Sequence, residues 1–385
     1  MTEPAPVLLD ASRLVWRRWM GRAPTGIDRV CLAYAERFGG NARAVLQWRG
    51  RVRVLPAGLS RRLFALVLAG PADFRARFAA MTPAIALAGA GGGDLRGALY
   101  LNIGHTGLDQ PVLARWIARL GLRAVTLLHD LIPITHPEFC RAGEAERHRA
   151  RVIHALTISA GIITNSAATR EDLARFALTE GLPLPPVLPA WICGAQWPDH
   201  PAVPDLGRPW FVSVGTIEGR KNHALLLREW TAVAERLGAA APLLVLVGRR
   251  GWEADLAQAM IDRAPGLAGH VIERGDAEDA TLAGLIAGAR ALLMPSFAEG
   301  FGLPVVEALA LGTPVIASDL PVFREIAGDI PMYLDPTDGP GWRAAIADFA
   351  GDAPERQRQI SAIPGWRAPA WDSHFAQVRG WLATL

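Results

Sequence analysis

The chain has 385 residues, 51% hydrophobic and 20% charged, with a net charge of +3, and such a length points to two or more domains at roughly 150 residues each. A mean hydropathy of +0.19 excludes a disordered chain. No apolar run approaches the ~18–20 residues that span a bilayer, the longest being 63–70, and neither end reads as a leader, so the expected setting is the cytoplasm. Cys31, Cys140 and Cys193 are isolated thiols without a CxxC pair, which supports neither a disulfide framework nor a zinc cluster.

The cations are unevenly spread. Residues 1–200 hold 24 Arg/Lys against 15 Asp/Glu, and 201–385 hold 16 against 22. Of the 40 cations only Lys221 is lysine; either codon bias left one by chance, or that position needs a compact, mobile ammonium rather than a planar fork.

In chain order, Arg13, Arg17, Arg18 and Arg22 alternate with Trp16 and Trp19, and Arg49, Arg51, Arg53, Arg61 and Arg62 follow Trp48. These clusters suit an anionic membrane surface or a lipid diphosphate, or else are solvated arginines packed on apolar neighbours. No RNA- or DNA-binding motif accompanies them, so nucleic acid is not an expected partner. Pro24–Arg29 opens a helix, and the Ala/Gly tract 86–93 reads as a loop. Short β-rich runs at 124–128, 160–164, 210–215, 242–248, 291–295 and 314–317 alternate with amphipathic helical stretches, the rhythm of parallel α/β sheets. Seven prolines in 183–204 place a domain boundary near residue 200. The expected divisions are 1–200, 201–365 and a final helix in 366–385, where Trp371, Phe375, Val378, Trp381 and Leu382 recur at helical spacing.

Two turns in the second half carry chemistry. The strand ending at Gly215 runs into Thr216-Ile-Glu-Gly-Arg220-Lys221-Asn222 and then the helical run 223–237. Unpaired N–H groups at the helix start, with two mobile cations beside them, suit a phosphate, although solvated Arg-Lys pairs at helix starts are common. Further on, the strand ending at Pro295 is followed by Glu299-Gly300-Phe301-Gly302-Leu303-Pro304, and Pro304 fits the first turn of a helix that carries Glu307. Amides around Gly300–Leu303 form a second anion site facing the first, so that a diphosphate is gripped from two sides. Carboxylates repel phosphate, so Glu299 and Glu307 are matched to sugar hydroxyls.

Glu299 and Glu307 stand in a Glu-x7-Glu pattern, and with Gly215–Asn222, His129-Asp-Leu-Ile-Pro133, Thr164–Asp172 and Gly312–Ser318 the chain resembles glycosyltransferase family 4 along nearly its whole length. The resemblance implies the α/β GT-B fold, two Rossmann-like domains facing across a cleft, with the last helix crossing back to the first. It assigns Lys221 and Arg220 to the donor diphosphate, Glu299 to donor-sugar hydroxyls and Glu307 to the ribose. Thr216 and the Gly300, Phe301, Gly302 and Leu303 amides fall to donor phosphate and sugar, and residues near Arg274, Gly275 and Asp276 to the base. By the same likeness His129 touches the donor sugar, the alternative being a packed histidine, and Asp130 is a weaker candidate. Gly26 belongs to a loop that closes over the diphosphate. Two departures stand out: Thr216 replaces an arginine common in the family, and Asp28 replaces a second glycine.

The implied reaction is retaining transfer of a sugar from a nucleotide-sugar, leaning to GDP-mannose, to a glycan or lipid-linked acceptor in polysaccharide or lipopolysaccharide synthesis, peripheral to the inner membrane. No cofactor is expected, and with no DxD triplet in the chain no metal is expected either. The alternatives are a glucosyl or N-acetylglucosaminyl transferase using a UDP-sugar, an epimerase or phosphorylase on the same architecture, and a catalytically silent scaffold that binds sugar nucleotides.

Overall fold

The computed structural model describes residues 7–22, 24–91, 95–275 and 277–385. Its strands are β1 (Leu8–Asp10), β2 (Arg43–Trp48), β3 (Arg51–Val54), β4 (Leu99–Asn102), β5 (Arg123–Leu128), β6 (Ser159–Thr164) and β7 (Val187–Pro189), then β8 (Trp210–Val214), β9 (Leu243–Val247), β10 (Val271–Arg274), β11 (Leu292–Met294), β12 (Val315–Ser318) and β13 (Met332–Leu334). Two compact units contain them. One comprises 1–131, 146–192 and 371–385, and the other 132–145 and 193–370.

In the first unit the sheet order is β3-β2-β1-β4-β5-β6-β7, parallel except for β3, which pairs antiparallel with β2. The second sheet is wholly parallel in the order β10-β9-β8-β11-β12-β13. Strand β9, Leu-Leu-Val-Leu-Val, is buried at every position, as a parallel strand covered by helices on both faces requires. The helix His223–Leu237 buries Leu226, Trp230 and Val233 against Phe211 and Leu244, and Trp342 and Phe349 complete that core. In the first unit Tyr100, Trp116, Val45 and Leu113 form the corresponding cluster.

The units are discontinuous where the sequence suggested contiguous ones. Residues 132–145 leave the first and pack with the second, because the Phe139 ring stacks on Phe297 (centroids 5.1 Å apart, planes 7° apart) and its carbonyl accepts from the Trp252 indole at 3.2 Å. The second unit takes up the chain again at Cys193, and it keeps Trp366, whose indole donates to the Ile326 carbonyl. The final helix begins at Trp371 and belongs to the first unit, where Phe375 packs edge-on to Tyr34 and Trp371 stacks on Phe375. His374 ties it down: one ring nitrogen faces the Trp191 carbonyl and so carries the proton, which leaves the other to accept from the Tyr34 hydroxyl at 2.9 Å.

One loop expectation is corrected. Ala86 and Leu87 end the helix Phe74–Leu87 rather than opening a loop, since an alanine-rich run sustains helix, while Gly92 and Gly93 lie outside the described residues. The apolar run 63–70 forms the end of the helix Ala57–Ala69 and its cap Gly70, with Leu63, Phe64, Leu66 and Val67 buried.

Gly248, just past β9, allows the closest backbone approach in the second unit. A Cβ there would lie 1.9 Å from the Gly215 carbonyl oxygen, at the start of the cationic turn. Gly248→Ala is expected to cost roughly 1–3 kcal/mol, as overpacking does, and to lower Tm in a thermal melt; an unchanged Tm would show that the turn yields without strain.

Candidate active site

The order β10-β9-β8-β11-β12-β13 reverses direction between β8 and β11, and open parallel sheets bind ligands beyond the strand ends at that point. The turn after β8 and the loop after β11 meet there. Ile217 is held by its N–H to the Arg249 carbonyl, and Gly219–Lys221 make one turn of 3-10 helix. Asn222, in the left-handed conformation at φ +56°, starts the helix His223–Leu237. Its side-chain amide donates to the carbonyls of Pro295 (3.1 Å) and Pro336 (2.8 Å), which fastens the turn to the loops after β11 and β13.

Glu299 is the hub. Its Oε1 accepts from Lys221 Nζ at 2.5 Å and from Ser296 Oγ at 2.7 Å, and its Oε2 accepts from Arg220 at 2.9 Å. Arg220 also pairs with Glu218 at 2.6 Å and donates to the Ala298 carbonyl, and its own carbonyl accepts from Phe297 N–H. Two cations and two carboxylates thus form one cross-braced cluster without net charge. Burial alone would raise the Glu299 carboxyl, but Lys221 and Arg220 outweigh it and hold it at about 2. Burial also pulls the Lys221 ammonium below its ordinary value, with Glu299 opposing, and Lys221 is only 8% exposed. Behind it the buried His223 is pushed to about 3, by burial first and by Lys221 second, so its ring is neutral.

Glu307 occupies a separate position. It lies on the helix Leu303–Ala310, which follows Gly302 at φ +99°; a Cβ on Gly302 would come within 2.6 Å of the Phe323 ring. Its carboxylate accepts from Ala195 N–H at 3.1 Å, and Gly194 lies against its stem. Thr216 is half-buried beside Gly251, and Gly300 is half-buried while Phe301 is buried. Arg274 and Gly275 are exposed at the end of the edge strand β10, two strands from β8, and Asp276 lies outside the described residues. Glu218, Ser296 and Asn222 were not singled out from the sequence. Glu218 and Asn222 stand inside the quoted motif, so spacing marked the turn but not which side chains brace it.

Residues 208–352 match the family model described as glycosyl transferases group 1. That stretch lies wholly within the second unit. The chain is 32% identical over 254 residues to the O-antigen chain mannosyltransferase B of Escherichia coli, a match covering 63% of this chain and 65% of that protein. It is 32% identical over 233 residues to the serotype-specific mannosyltransferase WbdA of Escherichia coli, covering 56% of this chain and 28% of WbdA. The chain thus spans less than two thirds of these relatives. Among solved structures, Anabaena HepE in complex with UDP and glucose superposes with a TM-score of 0.66 at 16% identity, over 99% of this chain and all of the other. The fold is GT-B.

The Lys221–Glu299–Arg220 cluster lies within the matched stretch, as do Thr216, Glu307, Arg274 and the Gly300–Leu303 loop; His129 and Gly26 belong to the other unit. His129 is buried at the end of β5, its Nε2 2.9 Å from the Ile103 carbonyl and its own carbonyl accepting from Asn165 at 2.7 Å. Asn165 and Ser166 come from the Thr164–Asp172 motif: Ser166 caps the helix Ala167–Thr179, and that cap sets Asn165 under His129. His105 and His148 stand beside this ring system, each with Nε2 on a backbone carbonyl, at Leu127 and Asp130.

Because a carbonyl only accepts, His129 carries its proton on Nε2, and burial pushes its pKa down to about 4. Ring-nitrogen NMR of 15N-histidine protein is expected to show one His129-type tautomer unchanged from pH 8 to 5.5; titration near 6.5 would disprove it. In the unfolded chain that ring protonates near 6.5, so its contribution to stability falls as pH drops from 6.5 towards 4.

Gly26 is not in a free loop. It is the first residue of the helix Gly26–Phe38, capped by Thr25, with the Asp28 carboxylate accepting from the Thr25 N–H and hydroxyl. Asp28 in turn pairs with Arg13 at 2.7 Å and Arg17 at 2.9 Å, so the residue that replaces the family glycine is a buried anchor. Those two arginines are therefore internal ties, and Arg18 donates to the Val67 carbonyl. Among the described residues no helix is long and apolar enough to cross a membrane.

Proposed function

We propose that the protein transfers a hexosyl group from a nucleotide-sugar to a growing glycan, with GDP-mannose as donor and an O-antigen-like or lipid-linked glycan as acceptor. The observation that carries this reading is the braced Lys221–Arg220–Glu299 cluster at the switch point of a domain matching glycosyl transferases group 1. The mannosyl preference is supported by relatives named as mannosyltransferases.

In the reaction the bond between the anomeric carbon and the diphosphate oxygen breaks, and the electron pair stays on the leaving nucleoside diphosphate. The acceptor oxygen bonds to the anomeric carbon and its proton passes to a phosphate oxygen, with retention by front-face attack. Lys221 and Arg220 stabilise the charge that builds on the leaving oxygens, the part that fixed cations play in a water-poor site. Glu299 holds both cations in place beforehand, so little reorganisation accompanies the step. With cations in that role the reaction needs no metal.

The test is thermal-shift binding of GDP-mannose, UDP-glucose and UDP-N-acetylglucosamine, followed by transfer to a lipid-linked glycan at the membrane's cytoplasmic face. Stabilisation by GDP-mannose with transfer supports the reading. Stabilisation by a UDP-sugar changes the donor, and binding without transfer to any glycan points to a scaffold.

A further inference from the structure

The first unit contains a cavity of about 430 Å³ at its sheet edge, between the β2–β3 hairpin and the helix Pro111–Leu120. Its lining includes Arg51 and Arg53 of β3, Arg115, Trp116 and Arg119 of the helix, and Ala90, and none of its lining residues is acidic. We propose that this cavity binds an anion carrying two or more phosphate groups. The inference does not rest on the transferase reading.

Arg51 and Arg53 alternate along an edge strand, and Arg115 and Arg119 are one helical turn apart. Among the described residues none of the four pairs with a carboxylate. Like charges one turn apart destabilise a helix, so four cations converging on one cavity await a counter-ion. Guanidinium forks take phosphate oxygens two at a time, and four of them match a diphosphate better than a single phosphate. The volume falls within the range of small-molecule sites.

The walls are fixed. The Trp116 indole donates to the Ala90 carbonyl at 2.6 Å and its ring meets Tyr100 edge-on at 5.1 Å. The hairpin turn is a two-residue one, Arg49 at φ +47° and Gly50 at φ +72°, which points the strand ends in a set direction. At the same turn Trp48 is 70% exposed with the Arg49 guanidinium 4.6 Å above its ring. An apolar ring beside the arginines suits a diphosphate attached to a hydrocarbon chain as well as a free one.

Calorimetric titration with inorganic pyrophosphate, and sedimentation with phosphatidylcholine vesicles carrying a polyprenyl diphosphate, separate these sources. Both are run on wild type, Arg115→Gln/Arg119→Gln and Arg51→Gln/Arg53→Gln. Lys221→Ala runs alongside, so that binding at the Arg220–Lys221 turn is counted apart. The expected result is binding in at least one arm, weakened tenfold or more in both double variants and retained in Lys221→Ala. Binding in the soluble arm identifies a free diphosphate, and in the vesicle arm alone a lipid headgroup. No binding in either arm, or affinity unchanged in the double variants, overturns the proposal. The helix arginines are exposed, so circular dichroism of Arg115→Gln/Arg119→Gln should match wild type.

Discussion

Replacing Lys221 by alanine is expected to lower kcat for sugar transfer by about 10²–10³-fold, the loss seen when one preorganised charge-stabilising donor is removed. The donor's Kd should change much less, because Arg220 and the turn amides still face it. Fold is not the confounder. In the variant Glu299 keeps Arg220 and Ser296 as partners, so circular dichroism should match wild type. Lys221→Arg is not expected to restore activity, since a planar fork does not fit the space of an ammonium that sits 3.4 Å from a Cβ placed on Gly215. Steady-state kinetics with the donor found by binding checks this, and a kcat within threefold of wild type would remove Lys221 from the mechanism.

The second large effect is on stability. Glu299→Gln leaves the buried Lys221 and the half-buried Arg220 without their shared carboxylate, and breaking a buried pair from one side costs about 3 kcal/mol or more. The pH dependence gives this a signature. The carboxyl sits at about 2 in the folded chain against an ordinary 4.5. Its contribution is therefore complete above about pH 5 and declines as pH falls from 4.5 towards 2, by about 3 kcal/mol in all. Melts of wild type and Glu299→Gln should differ most at pH 7 and converge as pH drops below 4.5. A gap that stays constant to pH 3 would mean that the cations do not hold Glu299 as the geometry indicates.

Much of the architecture was legible. A parallel strand buried on both faces must be a short continuous apolar run, and 210–215, 242–248 and 291–295 are such runs between amphipathic helices; all three are strands. The Arg220–Lys221 turn and the Glu299 loop were legible for a related reason, since Gly, Pro and charge cluster where a parallel strand hands over to a helix. The excursion of 132–145 was not, because it depends on Phe139 meeting Phe297, two residues far apart in sequence. The anchoring role of Asp28 was not legible either, because its partners Arg13 and Arg17 lie on another helix.

The sequence by itself determined the parallel α/β class, a division into two units and the strand-turn-helix pattern after Gly215 and after Pro295, because hydrophobic period and turn chemistry are local properties. Only the tertiary structure decided which carboxylate neutralises which cation. It joined Glu299 to Lys221 and Arg220 and Glu307 to the backbone at Ala195, and it brought Arg115 and Arg119 to the cavity that Arg51 and Arg53 also line. Charge pairing acts over a few ångströms in space, and no spacing along the chain encodes it.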